Sequence, residues 1–521
     1  MSTPTQQLEQ LPKLKDYQDR LGTKLVRDPS QTKPVMDAVL ELINQVETKG
    51  ITVTDDDVDL VGAINHRIAE LDQQINDNLN QVMQGEEFQR LERSWRGLHY
   101  LVSRAETSTT LKLRLLNATK DEIGKDLERA VEFDQSSQFK KIYEEEYGTF
   151  GGAPYSVLIG DYEFTRSPQD LQWLEKMSNV AAAAHAPFIA AADPALFDMD
   201  SFSELGNPRD LAKIFESSEL AKWRSFRDSE DSRYVALCLP RFLLRQPYGR
   251  DDYLTNVKDA SGKLLTDAKG KPVVEPERLT GRIPADDVDF QEKVDGKPED
   301  YCWGNSAYAM AERITNAFAL YKWTAAIRGV EGGGLVEGLP AVTFKTDEGD
   351  KVLKYPTETA ITDRREKELN DLGFITLVHR KNTDNAAFFG GQTAQKPKVY
   401  QDPQATANAR LSSQLPYIMA ASRFAHYIKA MMRDKVGSFM TKENVSDYLN
   451  KWIADYVLLD DRASQSSKAS YPLREARVDV EDVVGKPGVY KAVVYLRPHF
   501  QLDELTASIR LVAELPPPAA A

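Results

Sequence analysis

The residues best suited to chemistry lie in the stretch IRGVEGGGLVEGLP, 327–340. Gly332, Gly333 and Gly334 would let main-chain N–H groups approach an anion, and Glu331 or Glu337 could act as a general acid or base. The stretch follows a helical pattern and brings two acids with it, and both features oppose phosphate binding. A second glycine-rich turn, Gly148-Thr149-Phe150-Gly151-Gly152, separates a charged helical segment ending near Tyr147 from the apolar run Val157-Leu158-Ile159. A phosphate loop has the reverse order, strand before helix, and needs Lys-Ser/Thr behind its last glycine. This turn is followed by Ala153-Pro154-Tyr155. It reads as a tight joint that delivers a strand, stopping at Gly160-Asp161, to the core. TDRREKEL (362–369) offers Arg364, Arg365 and Lys367 to a phosphate, but Thr362 or Asp363 followed by Glu366 reads as a helix start.

The remaining candidates stand apart from one another. His66, His99, His185, His379, His426 and His499 form no HExxH pair, and none has a second His or Cys at metal-ligand spacing. Two cysteines, Cys238 and Cys302, allow no disulfide framework. They read as buried thiols in a reducing, cytoplasmic compartment. No cofactor or metal is expected. A net charge of −14, from 66 basic and 80 acidic residues, argues against general affinity for nucleic acid or anionic membrane. The N-terminus lacks the apolar centre of a signal peptide, and no apolar run is long enough to span a bilayer.

The elements that must position these residues alternate between helix and strand. Val61, Ile64, Ile68, Leu71, Ile75, Leu79 and Val82 recur at spacings of three and four. This narrow stripe predicts a helix packed on another helix, within the chain or on a second subunit. Residues 86–106 repeat the pattern with Phe88, Leu91, Trp95, Leu98 and Val102. Leu111, Leu113 and Leu115 alternate with Lys112 and Arg114, which predicts a half-exposed strand. Helices are expected over 168–185, 208–228, 303–328, 403–437 and 444–458. Short apolar strands are expected at Phe188–Ala191, Tyr234–Leu239 and Phe374–Val378. Alternation of this kind predicts a mixed α/β protein of several domains. The last fifty residues turn β-like, with strands at Val489–Leu496 and Ser508–Leu515. The final strand has nothing downstream to pair with, so it must pair backwards or with another chain. The expected divisions are an N-terminal helical segment 1–60, a main α/β domain 61–390 with a polar surface excursion at 246–300, and a helical plus β domain 391–521.

Several stretches go beyond pattern. FQRLERSWRGLHYLV (88–102), YEEEYGTFGGAPYSVLIGDYEF (143–164), HAPFIAAA (185–192), WRSFRDSEDSRYVALCLPR (223–241), CWGNSAYAMAERI (302–314), IRGVEGGGLVEGLP (327–340), TDRREKELNDLGF (362–374), SRFAHYIKAMMRDKVGSF (422–439) and YLRPHFQLDELTASIRLVAELP (495–516) occur in this order. Together they resemble the large sheath subunit of bacterial type VI secretion systems, the TssC/VipB family. The resemblance implies a non-enzymatic, phage-tail-sheath-like subunit. Such a subunit forms obligate heterodimers with a small sheath subunit. The heterodimers stack into a helical tube of many copies around an Hcp-type inner tube, above a baseplate. Contraction drives the inner tube outward, and a Clp-type AAA+ ATPase recycles the sheath, with the N-terminal segment as its contact. The resemblance also implies strand exchange between protomers. Its candidates are Val489, Ala492, Val494 and Leu496 on one strand and Ile509, Leu511 and Ala513 on the next. Ile64, Ile68, Leu71, Ile75 and Leu79 are the candidates for heterodimer helix packing. From the residues alone, two alternatives stay open: a cytoplasmic enzyme using 327–340, and a soluble adaptor that builds no lattice.

Overall fold

The computed structural model describes residues 60–501, apart from 208, 250–253, 257–273, 277–289, 295–299, 346–350, 439 and 486–488. The expected strand carrying Ile509, Leu511 and Ala513, and the segment 1–59, lie outside the described residues. The chain divides into two compact units. One comprises 1–88, 247–277 and 282–293; the other comprises 89–246, 278–281 and 294–521.

In the first unit the main described element is helix α1 (Leu60–Met83). The face it uses within the unit is polar. Asn76 Oδ1 accepts from the Gln291 N–H at 2.7 Å, and Asn80 Oδ1 accepts from the Lys293 N–H at 2.7 Å. Asn80 Nδ2 donates to the Gln291 carbonyl at 2.9 Å, and Gln84 Nε2 to the Lys293 carbonyl at 2.8 Å. Asparagines four residues apart share a helix face, so side-chain amides here substitute for a neighbouring strand. Within the excursion, Leu254–Asn256 pairs antiparallel with Val274–Pro276.

The second unit is built on a six-stranded sheet of β1 (Leu158–Phe164), β2 (Phe188–Ala192), β3 (Val235–Leu239), β4 (Leu335–Val336), β5 (Phe374–His379) and β6 (Ala386–Phe388). The order is β1-β2-β3-β5-β6-β4. The first four strands are parallel, and β6 and β4 are added antiparallel. The sequences FIAAA and VALCL are buried at every residue, which is why neither alternates polar with apolar. Phe188, Ala190, Val235, Leu237 and Phe374 face one core, which holds Leu174, Trp173 and Trp223. Ile189, Ala236, Cys238, Ile375 and Leu377 face the other, under Ala307, Met310 and Ile314.

The helices follow from that division. Helix α2 (Glu86–Arg104) carries the boundary between units in its first turn. Helix α3 (Lys120–Arg129) begins with a capping box between Thr119 and Glu122. Helix α4 (Pro168–Ala184) covers the first core and ends on left-handed His185. Helix α5 (Ser306–Tyr321) covers the second, with alanines that let it approach the sheet closely. Helix α6 (Asp363–Asp371) is capped by Thr362, which settles the choice between Thr362 and Asp363. Helices α7 (Pro403–Ser412), α8 (Leu415–Asp434) and α9 (Lys442–Ala454) lead to the hairpin β7 (Leu473–Asp482) and β8 (Tyr490–Pro498). Val478 and Val480 close a third core with Trp323, Phe424, Leu449 and Ile453, in which Trp323 stacks on Phe424 at 4.5 Å.

Four expectations are corrected. The helix expected over 403–437 is two helices, because the chain between them pairs with 391–393. The Leu415 N–H donates to the Gly391 carbonyl at 2.7 Å, and the Thr393 N–H to the Ser413 carbonyl at 2.9 Å. The helix expected over 208–228 breaks at Ser217, where Arg224 takes up the freed carbonyls of Phe215 and Ser217. Strand β1 does not stop at Gly160-Asp161 but runs on to Phe164 with an irregular register. Gly160 is there for contact, since a Cβ would lie 2.5 Å from the Phe188 ring. Finally, Leu111–Leu115 lies outside every ladder, because no described strand of the chain runs beside it.

The joint at 148–152 is tighter than a simple loop. Lys140–Tyr147 is a π-helix, closed by the Gly148 N–H on the Tyr143 carbonyl at 2.6 Å. A Cβ on Gly152 would sit 2.1 Å from the Glu146 carbonyl oxygen, whereas Gly151 has φ of +78° and open space around it. Arg433, at the end of α8, donates to the Tyr147 and Thr149 carbonyls, each at 2.6 Å. Gly151→Ala is therefore expected to cost about 1 kcal/mol of backbone strain, and Gly152→Ala more than about 2 kcal/mol, because main chain must move. Urea unfolding of the two variants checks this ranking, and equal midpoints would refute it.

Candidate assembly surface

In an open α/β sheet, ligands bind beyond the carboxyl ends of the parallel strands. In this chain that position carries a network of its own side chains. Glu163 near the end of β1, Asp193 just after β2 and Arg241 just after β3 converge there. Arg241 Nε and Nη2 each donate to the Glu163 carboxylate at 2.7 Å, with Glu358 at 3.8 Å and Asp193 at 3.9 Å. Burial opposes the Arg241 cation, but these carboxylates hold it protonated. Burial in turn raises the Glu358 and Asp193 carboxyls above their ordinary range, with Arg241 pulling the other way. The cluster binds the strand ends together through Arg241.

The glycine-rich loop 327–340 is likewise engaged in the fold. Its Leu335 and Val336 form β4, the Gly329 N–H donates to the Phe388 carbonyl at 2.6 Å, and Arg328 Nε to the Phe389 carbonyl at 2.9 Å. Glu331 and Glu337 are both exposed to solvent. Burial pushes the Cys238 and Cys302 thiols up, opposite to what a nucleophile needs. Among the described residues no group of His, Cys, Asp and Glu is placed to hold a metal, and no described helix is long and apolar enough to cross a membrane.

What the second unit does present is apolar surface. Helix α2 packs inward through Gly97 and Leu101, and Glu92 lies beside the stripe formed by Phe88 and Trp95. Glu92 pairs with buried Arg245 at 2.6 Å, and Gly97 lies so close to the Tyr308 ring that a Cβ would be 2.5 Å from it. The opposite side carries the stripe. Trp95 is 63% exposed and Leu91 56%, and Phe88 and Val102 are exposed as well, while Leu98 is partly packed. Single exposed apolar residues are ordinary, but a row of them with an indole marks an interaction surface. In the first unit, α1 repeats the inversion. Ile75 and Leu79 are exposed, Leu71 is half-buried, and Asn80 on the opposing face is 3% exposed. The side chains of Ile64 and Ile68 lie outside the described residues.

The strand candidates separate. Ala492, Val494 and Leu496 lie on β8, opposite Val480, Val478 and Ala476 of β7 in the same chain. Val494 and Leu496 pack on the third core, Ala492 is exposed, and Val489 is exposed just before the strand. The two-stranded sheet has no further described strand. Asn450 closes the outer edge of β7 by bonding both the N–H and the carbonyl of Val478, and Leu473 is bridged to Val457, so the outer edge left among the described residues is that of β8. Periodicity alone did not mark Leu91 and Trp95 as a surface, because a stripe at helical spacing looks the same whether the core or a partner covers it. The available signal was the opposite face, where Gly97 marks a close backbone approach.

Among the described residues, then, an apolar helix side and the outer edge of β8 stand uncovered. A family profile described as EvpB/VC_A0108, tail sheath N-terminal domain, matches residues 65–258 and 278–395. A second, described as EvpB/VC_A0108, tail sheath gpW/gp25-like domain, matches 404–515. The type VI secretion system sheath protein TssC1 of Pseudomonas aeruginosa is 49% identical over 462 residues, which is 88% of this chain and 87% of that protein. The chain belongs to the type VI secretion tail-sheath family. Two structures of the anti-feeding prophage, its baseplate and its contracted helical sheath, align at 11% identity with TM-scores of 0.31 and 0.29. Those alignments cover 66% and 65% of this chain and 66%, just under two thirds, of each matched chain.

One buried titratable group gives the fold a pH signature. His426 on α8 hydrogen-bonds through Nε2 to the Ala184 carbonyl at 2.9 Å, with its ring 5.2 Å from that of Tyr147 and 6.2 Å from that of His185. Burial pushes its pKa down to about 4, helped by the nearby cations Arg423 and Lys429. The folded chain thus keeps the ring neutral where the unfolded chain takes a proton near 6.5. This contribution is complete above pH 6.5, falls as pH drops towards 4, and then levels. Stability of the wild type should fall through that window more steeply than that of His426→Gln, by up to ~1.4 kcal/mol per pH unit. Urea midpoints taken from pH 7 to 4 test this, and parallel curves would remove His426 as the cause.

Proposed function

We propose that this chain is the large structural subunit of a contractile secretion sheath, working by assembly and not by catalysis. The observation that carries the reading is the apolar side of α2, which the described residues leave uncovered while Gly97 and Leu101 pack inward on the other side. A small sheath subunit covers that side, with Leu91 and Trp95 as its anchors, in an obligate heterodimer. The exposed residues of α1, Ile75 and Leu79 together with Leu71, extend the same partnership. Heterodimers then stack in the cytoplasm into a helical tube around an Hcp-type inner tube, seated on a baseplate. The sheath stores energy in an extended lattice and releases it as interfaces repack. A Clp-type AAA+ ATPase recovers the subunits through the N-terminal segment. The division into 1–60, 61–390 and 391–521 assigns recycling, the sheath body and strand exchange to successive parts of the chain. In that exchange, the strand carrying Ile509, Leu511 and Ala513 pairs with the hairpin edge of a neighbouring protomer.

Two experiments test the reading. Leu91→Glu with Trp95→Glu should weaken small-subunit binding at least a hundredfold and abolish tubes, while circular dichroism stays that of the wild type. Intact tubes from this variant, coexpressed with the small subunit and viewed by negative-stain microscopy, would contradict it. Removing 504–521 should leave a folded heterodimer that no longer polymerises. Normal tubes from the truncation would eliminate strand exchange by this segment.

A further inference from the structure

The segment 111–118 is a strand without a ladder. From Leu111 to Thr119 the chain makes no turn, bend or helical step. Side chains and one main-chain bond at its start hold it in place. At its start, the Thr110 and Leu111 N–H groups donate to Ser108 Oγ at 3.2 and 3.1 Å, and the Ser108 N–H donates to the Leu111 carbonyl at 2.9 Å. At its middle, Arg114 pairs with the Glu146 carboxylate and lies over the Tyr155 ring at 5.5 Å. Glu146 is fixed in turn by the Ala153 N–H at 2.8 Å. At its end, the Tyr162 hydroxyl donates to the Ala118 carbonyl at 2.6 Å, and Thr119 caps α3. Between these anchors, the main-chain N–H and C=O groups of 112–117 have no partner among the described residues. Leu113 and Leu116 are exposed, and Leu115 is 70% exposed. Six consecutive unpaired residues with alternating leucines, already positioned, form a template for strand addition.

We propose that this segment is completed by a β-strand from a different polypeptide, one that sets apolar side chains against Leu113 and Leu115 and an acidic side chain against Lys112. The charge pattern selects the occupant. A second copy of the same segment, paired antiparallel about Leu113, puts Lys112 opposite Arg114, and like charges directly opposite are destabilising. Shifting the register by one residue sets leucines against the cations on both faces. A strand with acids at alternate positions meets neither problem. The segment follows α2 after the short connection 105–110. The inference rests on the reading that a partner chain covers α2, and it assigns that partner a second, main-chain-directed contact.

Residue-resolved amide exchange on the complex with the small sheath subunit tests it. Strand addition slows one alternate set of amides, either 112, 114 and 116 or 113, 115 and 117, by at least tenfold relative to the other. Lys112→Glu should weaken the complex fivefold or more. A complex that forms while both sets exchange alike, whether fast or uniformly slowed, overturns the inference and leaves the heterodimer standing. Affinity unchanged by Lys112→Glu overturns the acidic character assigned to the strand. Failure to form any complex overturns the heterodimer reading and this inference with it.

Discussion

The parallel strands β2, β3 and β5 must be dry on both faces, and that constraint decides where the rest of the second unit can go. Helix α4 takes one face and α5 the other. With both places filled, α2 reaches the core through Leu98, Tyr100 and Leu101, with Gly97 close against Tyr308, and the described residues leave its Leu91 and Trp95 side uncovered. Exposure of that kind costs solubility, at about 25 cal/mol for each Å² of apolar surface left in water. The uncovered side is thus a direct result of how the sheet is closed.

The strand ends of the sheet are occupied by the chain's own side chains. The strand ends that would cradle a substrate converge on Arg241 and its carboxylates. Removing one partner of such a buried network leaves uncompensated charge, so the network ties β1, β2 and β3 together. Glycines at 327–340 serve the edge strand β4, and the acids beside them face water. What resembled a reactive loop is the place where the sheet gains its last strand.

Much of the fold was legible in the sequence, and the failures share a cause. Fully buried strands such as FIAAA and VALCL, and helices with capping signals such as Thr362, announce themselves through local chemistry. The break at Ser413 does not, because it exists to pair with Gly391 and Thr393, twenty residues away. Gly160 looked like a stop and is a contact with Phe188, which only the tertiary arrangement reveals. The surface was the least legible part. Leu91 and Trp95 recur as core residues do, and Leu111–Leu115 alternates as a paired strand does. Periodicity reports that a face will be covered without saying whose atoms will cover it.

The grip of α1 on residues 291–293 has a different consequence. Asn76, Asn80 and Gln84 hold main-chain atoms, not side chains. Every amino acid offers the same carbonyl, and every one but proline the same N–H. Substitution at Gln291 therefore leaves the recognised groups unchanged, whereas substitution at Asn80 removes them. At these amide contacts tolerance to mutation is inverted: the helix is bound to its spelling, whereas the segment it holds is bound to its own spelling elsewhere, at Lys293, which pairs with Asp77 at 2.8 Å, and at buried Glu292.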